Sequence, residues 1–313
     1  MAYDLITVGS ATFDVFAKTD NETIEIHSRS GDEKLIAYPL GTKILMKDLE
    51  FHVGGGGTNT AVAASRLGLK TGYLGNVGKD TNGDQVISLL KKEKVDFLGT
   101  RTNDLTNYSI ILDSFDEDRT ILVHKGASQK FDFDKIPKSR LKTKWFYLCA
   151  MVDKGFKQLE KISEYANKNN ISVAFNPSSY IASKGKRYLS KILKNTDLLI
   201  LNLEEAKMIC GNDSKKELTK ELKKLGPKNI IITDGKDKIG VLYEDNYLEI
   251  LPKKVKSKET TGAGDSFGST LVSGLIMSKD IKTSINMALK NSASVIMNIG
   301  AKKGLLTKKE LIR

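Results

Sequence analysis

The feature that most constrains this chain is a regular alternation of short apolar segments and helical patterns, which begins near residue 60. The segments "KWFYLCAM", "ISVAFNP", "DLLILN" and "KNIIITDG" are rich in apolar and β-branched residues, as buried strands are. The segments between them, such as "GFKQLEKISEYANKNN" and "EEAKMIC", have helical spacing. The alternation predicts an α/β fold in which helices cover both faces of a mainly parallel sheet.

Two segments break the alternation. Residues 15–52 and 106–124 lack a helical period and predict short strands joined by polar turns, which we expect to form a small β lid beside the main sheet. Residues 15–34 are polar enough to form a partly disordered loop instead. Because the chain has no internal repeat, low-complexity tract or linker, the sequence predicts one domain over residues 1–313.

Composition and charge limit the partners. No apolar run approaches the ~20 residues of a membrane span, and the chain starts directly in the strand-like segment "DLITVG". We therefore expect a cytoplasmic protein without a membrane partner. The net charge of +12 is compatible with a nucleic-acid partner, but the lysines are spread over many segments. No recognisable element interleaves basic with aromatic residues, so solvated helix faces are favoured over nucleic-acid binding.

Cysteine and histidine give no sign of a metal site. Cys149 and Cys210 lie in apolar stretches, which favours buried, reduced thiols over disulfides. His27, His52 and His124 are far apart and lack the spacing of metal ligands. The sequence therefore predicts neither a zinc site nor a disulfide framework.

The most informative stretch is "ETTGAGDSFGSTLVSGLIM", residues 259–277. Gly262, Ala263 and Gly264 allow a ligand to approach the backbone closely, and the apolar period that follows predicts a helix starting near Asp265. The amides at a helix N-terminus stabilise anions, and an aspartate placed there can accept a proton from a hydroxyl. A helix cap followed by a tight turn accounts for the same residues without any ligand.

A run of four glycines stands in "VGGGGTNTAVAASRLG", residues 53–68. The run suggests a phosphate-binding loop, but it lacks the Gly-Lys-Ser/Thr ending of a Walker P-loop. A Walker-type nucleotide site is therefore disfavoured at this position.

Taken together, these motifs resemble those of the ribokinase-like (PfkB) carbohydrate and nucleoside kinases. "TTGAGDSF" resembles the C-terminal signature of that family, and "GGGGTNTAVAASRLG" with "GNVGKDTNGDQV" resembles the N-terminal one. "NLEEA", "ITDG", "VHKGAS" and "KNSASVIMNIGA" resemble further family motifs between and after them, so the likeness covers nearly the whole chain. The resemblance implies a ribokinase-like three-layer α/β/α sandwich with a mainly parallel sheet and a small β lid.

The resemblance also implies roles for individual residues. Asp265 corresponds to the catalytic base, and the anion hole corresponds to the amides of Gly262, Ala263 and Gly264. On the nucleotide side, the implied ATP-binding residues are Asn202, Glu205, Thr233, Gly235 and Asn291, with Glu205 organising Mg²⁺ through water. On the acceptor side, the implied residues are Asp14, Gly55, Gly56 and Asn59. Taken singly, Asn202 is equally well a strand-end cap, Glu205 a first-turn helix acid and Thr233 an ordinary strand residue.

Three positions depart from the family pattern. Gly56 stands where ribokinases and phosphosugar kinases of the family usually carry a lysine. This departure weakens the match to ribose as the substrate, and it weakens the match to a phosphorylated sugar further, since a phosphate group would want a local Lys or Arg. Thr12 stands where ribokinases have an asparagine. Glu259 replaces the aspartate that begins the C-terminal signature, and this puts a potassium site beside the anion hole in doubt.

The resemblance thus implies an ATP-dependent kinase that phosphorylates a primary hydroxyl of a small sugar, with ATP and Mg²⁺ as the donor pair. A nucleoside kinase of the same family is the first alternative, and a non-catalytic relative that binds a sugar or nucleotide is the second. A homodimer through the lid is a further expectation.

Overall fold

The protein is described by a computed structural model that covers residues 2–19, 23–28, 31–113, 119–211, 214–253, 255 and 258–312. The strands in these ranges are β1 (Tyr3–Val8), β2 (Thr12–Thr19), β3 (Thr23–Ser28), β4 (Gly31–Ile36), β5 (Met46–Gly54), β6 (Thr71–Leu74), β7 (Asn76–Gly78), β8 (Val95–Phe97), β9 (Thr100–Thr102), β10 (Asn107–Asp113), β11 (Arg119–His124), β12 (Thr143–Cys149), β13 (Ser172–Asn176), β14 (Leu198–Asn202), β15 (Asn229–Thr233), β16 (Ile239–Tyr243) and β17 (Asn246–Ile250).

The helices connect these strands. They are α1 (Gly56–Arg66), α2 (Thr81–Lys92), α3 (Lys154–Lys168), α4 (Ser178–Ala182), α5 (Gly185–Lys194), α6 (Leu203–Cys210), α7 (Lys215–Lys224), α8 (Ala263–Ile276), α9 (Ile281–Ile296) and α10 (Lys308–Ile312). Three short 3₁₀ helices occupy Ala127–Lys130, Phe133–Lys135 and Lys138–Arg140.

Nine strands form the main sheet, in the order β17-β16-β15-β14-β13-β12-β1-β6-β8. All neighbouring pairs from β15 to β8 are parallel, whereas β16 and β17 are added antiparallel at one edge. The central strands are buried on both faces, as β14 illustrates, because parallel sheets are covered by their crossover helices.

Helices cover the two faces of the main sheet. Side chains of α1, α8 and α9 pack on one face, around Phe267, Leu271 and Ile285. Helices α3 to α7 pack on the other face, where Phe156 and Leu189 join the larger apolar cluster. The predicted three-layer α/β/α architecture with a mainly parallel sheet is confirmed.

A second sheet has four strands in the order β11-β10-β2-β5, and we call it the lid sheet. Strands β2 and β10 are parallel neighbours, and β5 and β11 pair antiparallel at the two edges. Its strands come from the two segments that break the βα alternation, with β2 beginning slightly earlier, at Thr12. Strands β3 and β4 form a separate hairpin in the region for which a loop was the alternative, so the strand prediction holds for the described residues there. Residues 20–22, 29–30 and 114–118 of these segments lie outside the described residues.

Candidate active site

Several of the predicted site residues lie where the parallel strands of the main sheet end. Strands β1, β12, β14 and β15 finish in sequence at Val8, Cys149, Asn202 and Thr233. Because these strands are parallel, their carboxyl ends lie along one edge of the sheet, where open α/β sheets bind their ligands. Residues from distant parts of the chain are therefore brought to one side of the molecule.

The glycine run leads into α1 at this edge, and at Gly54, Gly55 and Gly57 a Cβ would lie less than 3.0 Å from another atom. Gly55 has a φ of +91°, and a Cβ there would lie 2.5 Å from the Ser10 carbonyl oxygen. A Cβ on Gly54 would lie 1.8 Å from Oδ2 of Asp14. The Gly57 amide donates to the Ser10 carbonyl at 3.1 Å, which fixes the start of the helix against the end of β1. The run is thus a place of close approach between the main sheet and the lid sheet.

Helix α8 begins at the predicted tight turn. Gly262 is left-handed, with a φ of +80°, and a Cβ there would lie 2.3 Å from the Cβ of Ala301. The Ala263 amide donates to the Thr260 carbonyl at 3.2 Å, so it is engaged inside the turn. Gly264 is exposed, and a Cβ there would meet nothing within 4 Å. The space in front of this helix N-terminus is therefore open to a ligand.

The two predicted signatures come into direct contact. The Asn59 side-chain amide Nδ2 donates to Oδ2 of Asp265 at 2.7 Å, although the residues are 206 positions apart. A Cβ on Gly56 would lie 3.3 Å from the other carboxylate oxygen, Oδ1, and 3.2 Å from the Cβ of Cys149. Oδ1 of Asp265 therefore faces the glycine run, while Oδ2 is held by the amide.

Burial sets the electrostatics around Asp265. Desolvation raises the pKa of Asp265 above its usual value, and the Asn59 hydrogen bond and the Lys302 charge oppose that rise. The neighbouring Cys149 thiol and Tyr147 phenol also have raised pKa values, mainly because they are buried. Both neighbours are thus neutral near pH 7, whereas Asp265 is a group beside the glycine run that can exchange a proton.

Asp14 lies on β2 of the lid sheet, opposite the glycine run. Burial raises its pKa, while the Lys302 charge, a hydrogen bond from Ser109, and the charges of His52 and Lys125 lower it. The structure therefore places Asp14 beside the glycine run that contains Gly55 and Gly56, with Asn59 in the first turn of the helix that follows. Contact with a sugar stays a prediction.

Lys302 is a site residue that the sequence reasoning missed. Its ammonium donates to the Val53 carbonyl at 2.7 Å, to the Thr58 hydroxyl at 3.0 Å and to Oδ1 of Asn59. It is only 9% exposed. Within "GAKKG", nothing local distinguishes Lys302 from exposed Lys303, because the contact with Asn59 spans 243 positions.

Asn202 and Glu205 form a capping box at the start of α6. The Glu205 amide donates to Oδ1 of Asn202 at 2.8 Å, and the Asn202 amide donates to Oε2 of Glu205 at 3.0 Å. The Ser179 hydroxyl donates to Oε1 of Glu205 at 3.3 Å. Burial raises the pKa of Glu205, which has no ion-pair partner among the described residues. Asn202 itself is exposed at the strand end.

Thr233 and Gly235 lie beside this capping box. Thr233 is the register partner of Asn202, and its hydroxyl donates to the Leu201 carbonyl at 3.4 Å. Gly235 has a φ of +52°, and a Cβ there would meet nothing within 4 Å. These two residues and the capping box thus form a continuous strip along the edge of the sheet.

Asn291, unlike Asn202 and Gly235, does not lie along this strip. It is fully buried on α9, where its amide donates to the Thr270 hydroxyl at 2.8 Å and its carbonyl accepts from the Leu306 amide at 2.9 Å. Its side chain ties α8 and α9 to the segment after Leu305, and nucleotide contact stays a prediction.

The Glu259 side chain forms hydrogen bonds within the loop that precedes α8. Its Oε1 accepts from both the amide and the hydroxyl of Thr261 at 2.8 Å. One oxygen of this carboxylate is therefore used to shape the loop before Gly262.

The sequence model of the pfkB family carbohydrate kinase matches residues 5–308. An uncharacterized sugar kinase of Archaeoglobus fulgidus is 28% identical over 77% of this chain and 97% of its own length. A nucleoside kinase of Methanothermobacter thermautotrophicus is 23% identical over 96% of this chain and 92% of its own. The structure of Arabidopsis thaliana ribokinase complexed with ribose and ATP superimposes with a TM-score of 0.83 at 18% identity, covering 100% of this chain and 98% of that one.

These matches confirm the ribokinase-like fold that the motifs predicted. In the described part of the chain, none of the helices has both the length and the apolar character needed to cross a membrane.

Proposed function

The chain belongs to the pfkB family of carbohydrate kinases, and from that premise we propose that it transfers the γ-phosphoryl group of ATP to a primary hydroxyl of a small sugar. The observation that carries the proposal is the 2.7 Å hydrogen bond from Asn59 to Asp265. It joins the glycine run on the acceptor side to the N-terminus of α8, so a hydroxyl bound at the run lies beside a carboxylate.

Asp265 is the general base in this proposal. Its Oδ2 is occupied by Asn59, whereas Oδ1 faces Gly56 and is the oxygen that takes the proton of the acceptor hydroxyl. The acceptor oxygen forms a bond to the γ-phosphorus as the bond between that phosphorus and the bridging oxygen of ADP breaks. The N-terminus of α8 stabilises the charge on the phosphoryl oxygens through the helix dipole and the amides of Gly262 and Gly264, because the Ala263 amide is engaged with the Thr260 carbonyl. Gly264 leaves the approach open.

The donor nucleotide is proposed to lie along the strip formed by Asn202, Glu205, Thr233 and Gly235. The open space at Gly235 and the exposed Asn202 suit a phosphate chain that approaches the backbone. Asn291, which is buried, would contact the adenosine only after the segment near Leu306 moves.

Mg²⁺ fits this strip as an ion carried by the phosphates. Among the described residues, no cluster of three or more His, Cys, Asp or Glu could hold a metal ion by itself. Mg²⁺ commonly keeps several waters and binds through one or two carboxylates plus substrate phosphates. Glu205, without an ion-pair partner in the described residues, is the carboxylate that would hold those waters. The ion would neutralise charge on the phosphates.

A nucleoside is the second candidate acceptor. Gly56 carries no side chain, and a Cβ there already approaches Cys149 within 3.2 Å. The absence of a lysine leaves room beside the run for a bulkier group than a free sugar carries. The similarity to a nucleoside kinase over 96% of the chain supports this alternative.

The lid sheet is proposed to close over the acceptor, because it carries Asp14 and closure would exclude water from the phosphoryl group. The same sheet is proposed to form a homodimer. It exposes large apolar side chains, at Leu49, Phe51, Ile121 and Leu122.

One assay tests the proposed function. Purified protein is incubated with Mg-ATP and each of D-ribose, D-fructose, adenosine and cytidine, and both ADP release and new phosphate esters are measured, the latter by ³¹P NMR. We expect one class of acceptor to yield a phosphomonoester in proportion to ADP. ADP release without an ester, or no reaction with any acceptor while ATP binds, would contradict the kinase proposal.

A further inference from the structure

We propose that Lys302 is a positioning residue for the transfer step, because its ammonium fixes the side-chain amide of Asn59 and thereby holds Asp265 in place as an ionised base. This inference rests on the kinase function proposed above. It assigns a role to a residue of the C-terminal loop whose ammonium donates to three protein oxygens.

The ammonium of Lys302 is fully used within the protein. It has three N–H donors and no acceptor, and it faces three oxygens, those of the Val53 carbonyl, the Thr58 hydroxyl and the Asn59 side chain. At 9% exposure it has no donor left for a ligand. Direct anion binding is thus excluded as its main role, and its effect has to pass through these three partners.

The contact with Asn59 fixes the direction of the amide. Because an ammonium only donates, the Asn59 atom that faces it has to be the carbonyl oxygen Oδ1. The NH₂ group then points the other way, and Nδ2 donates to Oδ2 of Asp265 at 2.7 Å. A flipped amide would bring its oxygen against the carboxylate, which is repulsive. Lys302 therefore selects the amide orientation that holds the base.

The loop that carries Lys302 is anchored at the opposite end of α1. The Arg66 guanidinium donates to the Lys302 carbonyl at 2.9 Å and to the Leu305 carbonyl at 3.0 Å. Arg66 also forms a bidentate pair with Glu93, with N···O distances of 2.9 and 2.7 Å. The backbone of Lys302 is held at the C-terminus of α1, while its side chain reaches residues near the N-terminus.

The surrounding charges couple Lys302 to Asp265. The charged groups that face Lys302 are those of Asp14, Asp265, Arg66 and Glu93. Burial lowers the pKa of Lys302 to about 7, while the charges of Asp14 and Asp265 raise it. The ammonium form, on which the orientation of the Asn59 amide depends, is therefore the main form below about pH 7. In return, the Lys302 charge and the Asn59 hydrogen bond lower the pKa of Asp265 against the effect of its burial. Cys149 and Tyr147, which also face Asp265, are neutral in this range because burial raises their pKa values.

The first test is the pH profile of kcat, measured with the best acceptor of the panel above. Lys302→Met removes the ammonium, and the same change at exposed Lys303 is the matched control. We expect the acid limb of Lys302→Met to move upward by about 1 pH unit or more, since an opposite charge nearby shifts a carboxyl group by that order. Lys303→Met should superimpose on the wild type. A fall in kcat that is uniform across pH, with an unmoved limb, would reduce Lys302 to a structural role and overturn the proposal.

The second test needs no acceptor and no folded Lys302→Met variant. In protein with isotope-labelled lysine side chains, an NMR titration should contain one lysine with a midpoint near pH 7, identified by its loss in Lys302→Arg. Asp265→Asn removes the facing negative charge, so the midpoint should fall. An unchanged midpoint would overturn the coupling. If the coupling is present but the wild type phosphorylates no acceptor, the kinase proposal fails, and the transfer-step role of Lys302 fails with it for that separate reason.

Discussion

Glu205 offers a test that separates a structural role from a role in phosphoryl transfer. Its carboxylate accepts one hydrogen bond from the Asn202 amide at 3.0 Å and one from the Ser179 hydroxyl at 3.3 Å, and it is 6% exposed. Glu205→Gln keeps an acceptor oxygen for the capping box but removes the negative charge. Glu205→Ala removes both.

The magnitudes follow from these contacts. Glutamine also serves in capping boxes, and the neutral amide avoids the burial of a charge, so the free energy of unfolding of Glu205→Gln should stay within about 1 kcal/mol of the wild type. Glu205→Ala loses two hydrogen bonds at about 1 kcal/mol each. If Glu205 also orders the waters around the magnesium-bound phosphates, Glu205→Gln should lower kcat/KM for Mg-ATP by about 10- to 100-fold, the usual cost of an outer-sphere partner.

Thermal unfolding measures the free energy of unfolding, and steady-state kinetics at varied Mg-ATP measure kcat/KM. Glu204→Gln is the matched control, because Glu204 is the exposed neighbour on the same helix turn and pairs with Lys207 at 3.3 Å. It should change neither quantity appreciably. Wild-type kinetics in Glu205→Gln would refute the reasoning and leave Glu205 as a helix cap alone.

Three further predictions concern the loop before α8 and the lid sheet. Oε1 of Glu259 accepts hydrogen bonds from Thr261. We therefore expect turnover in potassium to be only slightly faster than turnover in sodium or in a bulky organic cation, and we expect this difference to be larger in Glu259→Asp. Strong activation that Glu259→Asp leaves unchanged would contradict this. Hydrogen exchange at residues 106–124 should slow when acceptor and nucleotide bind together, and equal exchange would exclude lid closure. Phe51→Glu should shift sedimentation from dimer to monomer whereas Met208→Glu, also at an exposed apolar position, should not. A monomeric wild type would contradict the dimer.

The sequence predicted the parts of the fold that local patterns determine. Apolar runs such as "DLLILN" and "KNIIITDG" are β14 and β15 in the structure, and the apolar period after Gly264 is α8. The glycine run leads into α1 as expected, and Gly56 and Gly57 are its first two residues. These elements depend on hydrophobic periodicity and on the position of glycines, and both can be recognised from a few consecutive residues.

Contacts between residues far apart in the sequence could not be predicted from such local patterns. Lys302 reaches Asn59 across 243 positions, and its neighbour Lys303 has the same local context but is exposed. The structural alternatives given for Asn202 and Glu205 are realised as a capping box, and this contact does not decide their part in phosphate binding. Asn291 has the residue type of a ligand contact, yet its burial depends on α8 and on the segment after Leu305.

The central claim is that Asp265 accepts the proton of the acceptor hydroxyl. Burial raises the pKa of Asp265 above its value in the unfolded chain. The protonated carboxyl therefore favours the folded state at low pH, and this contribution to the free energy of unfolding is lost as the pH rises through the folded pKa. At neutral pH the ionised, buried carboxylate lowers the stability of the folded protein. Asp265→Asn should therefore be at least as stable as the wild type near pH 7, which makes a loss of activity interpretable.

The most direct measurement is a single-turnover experiment on the wild type and Asp265→Asn, with the acceptor that the panel identifies, alongside the dissociation constant for ATP. The account predicts that the rate of phosphoryl transfer falls by ~10² to 10⁴, the contribution of a positioned general base, while ATP binds with unchanged affinity. Transfer by Asp265→Asn at close to the wild-type rate would contradict the account.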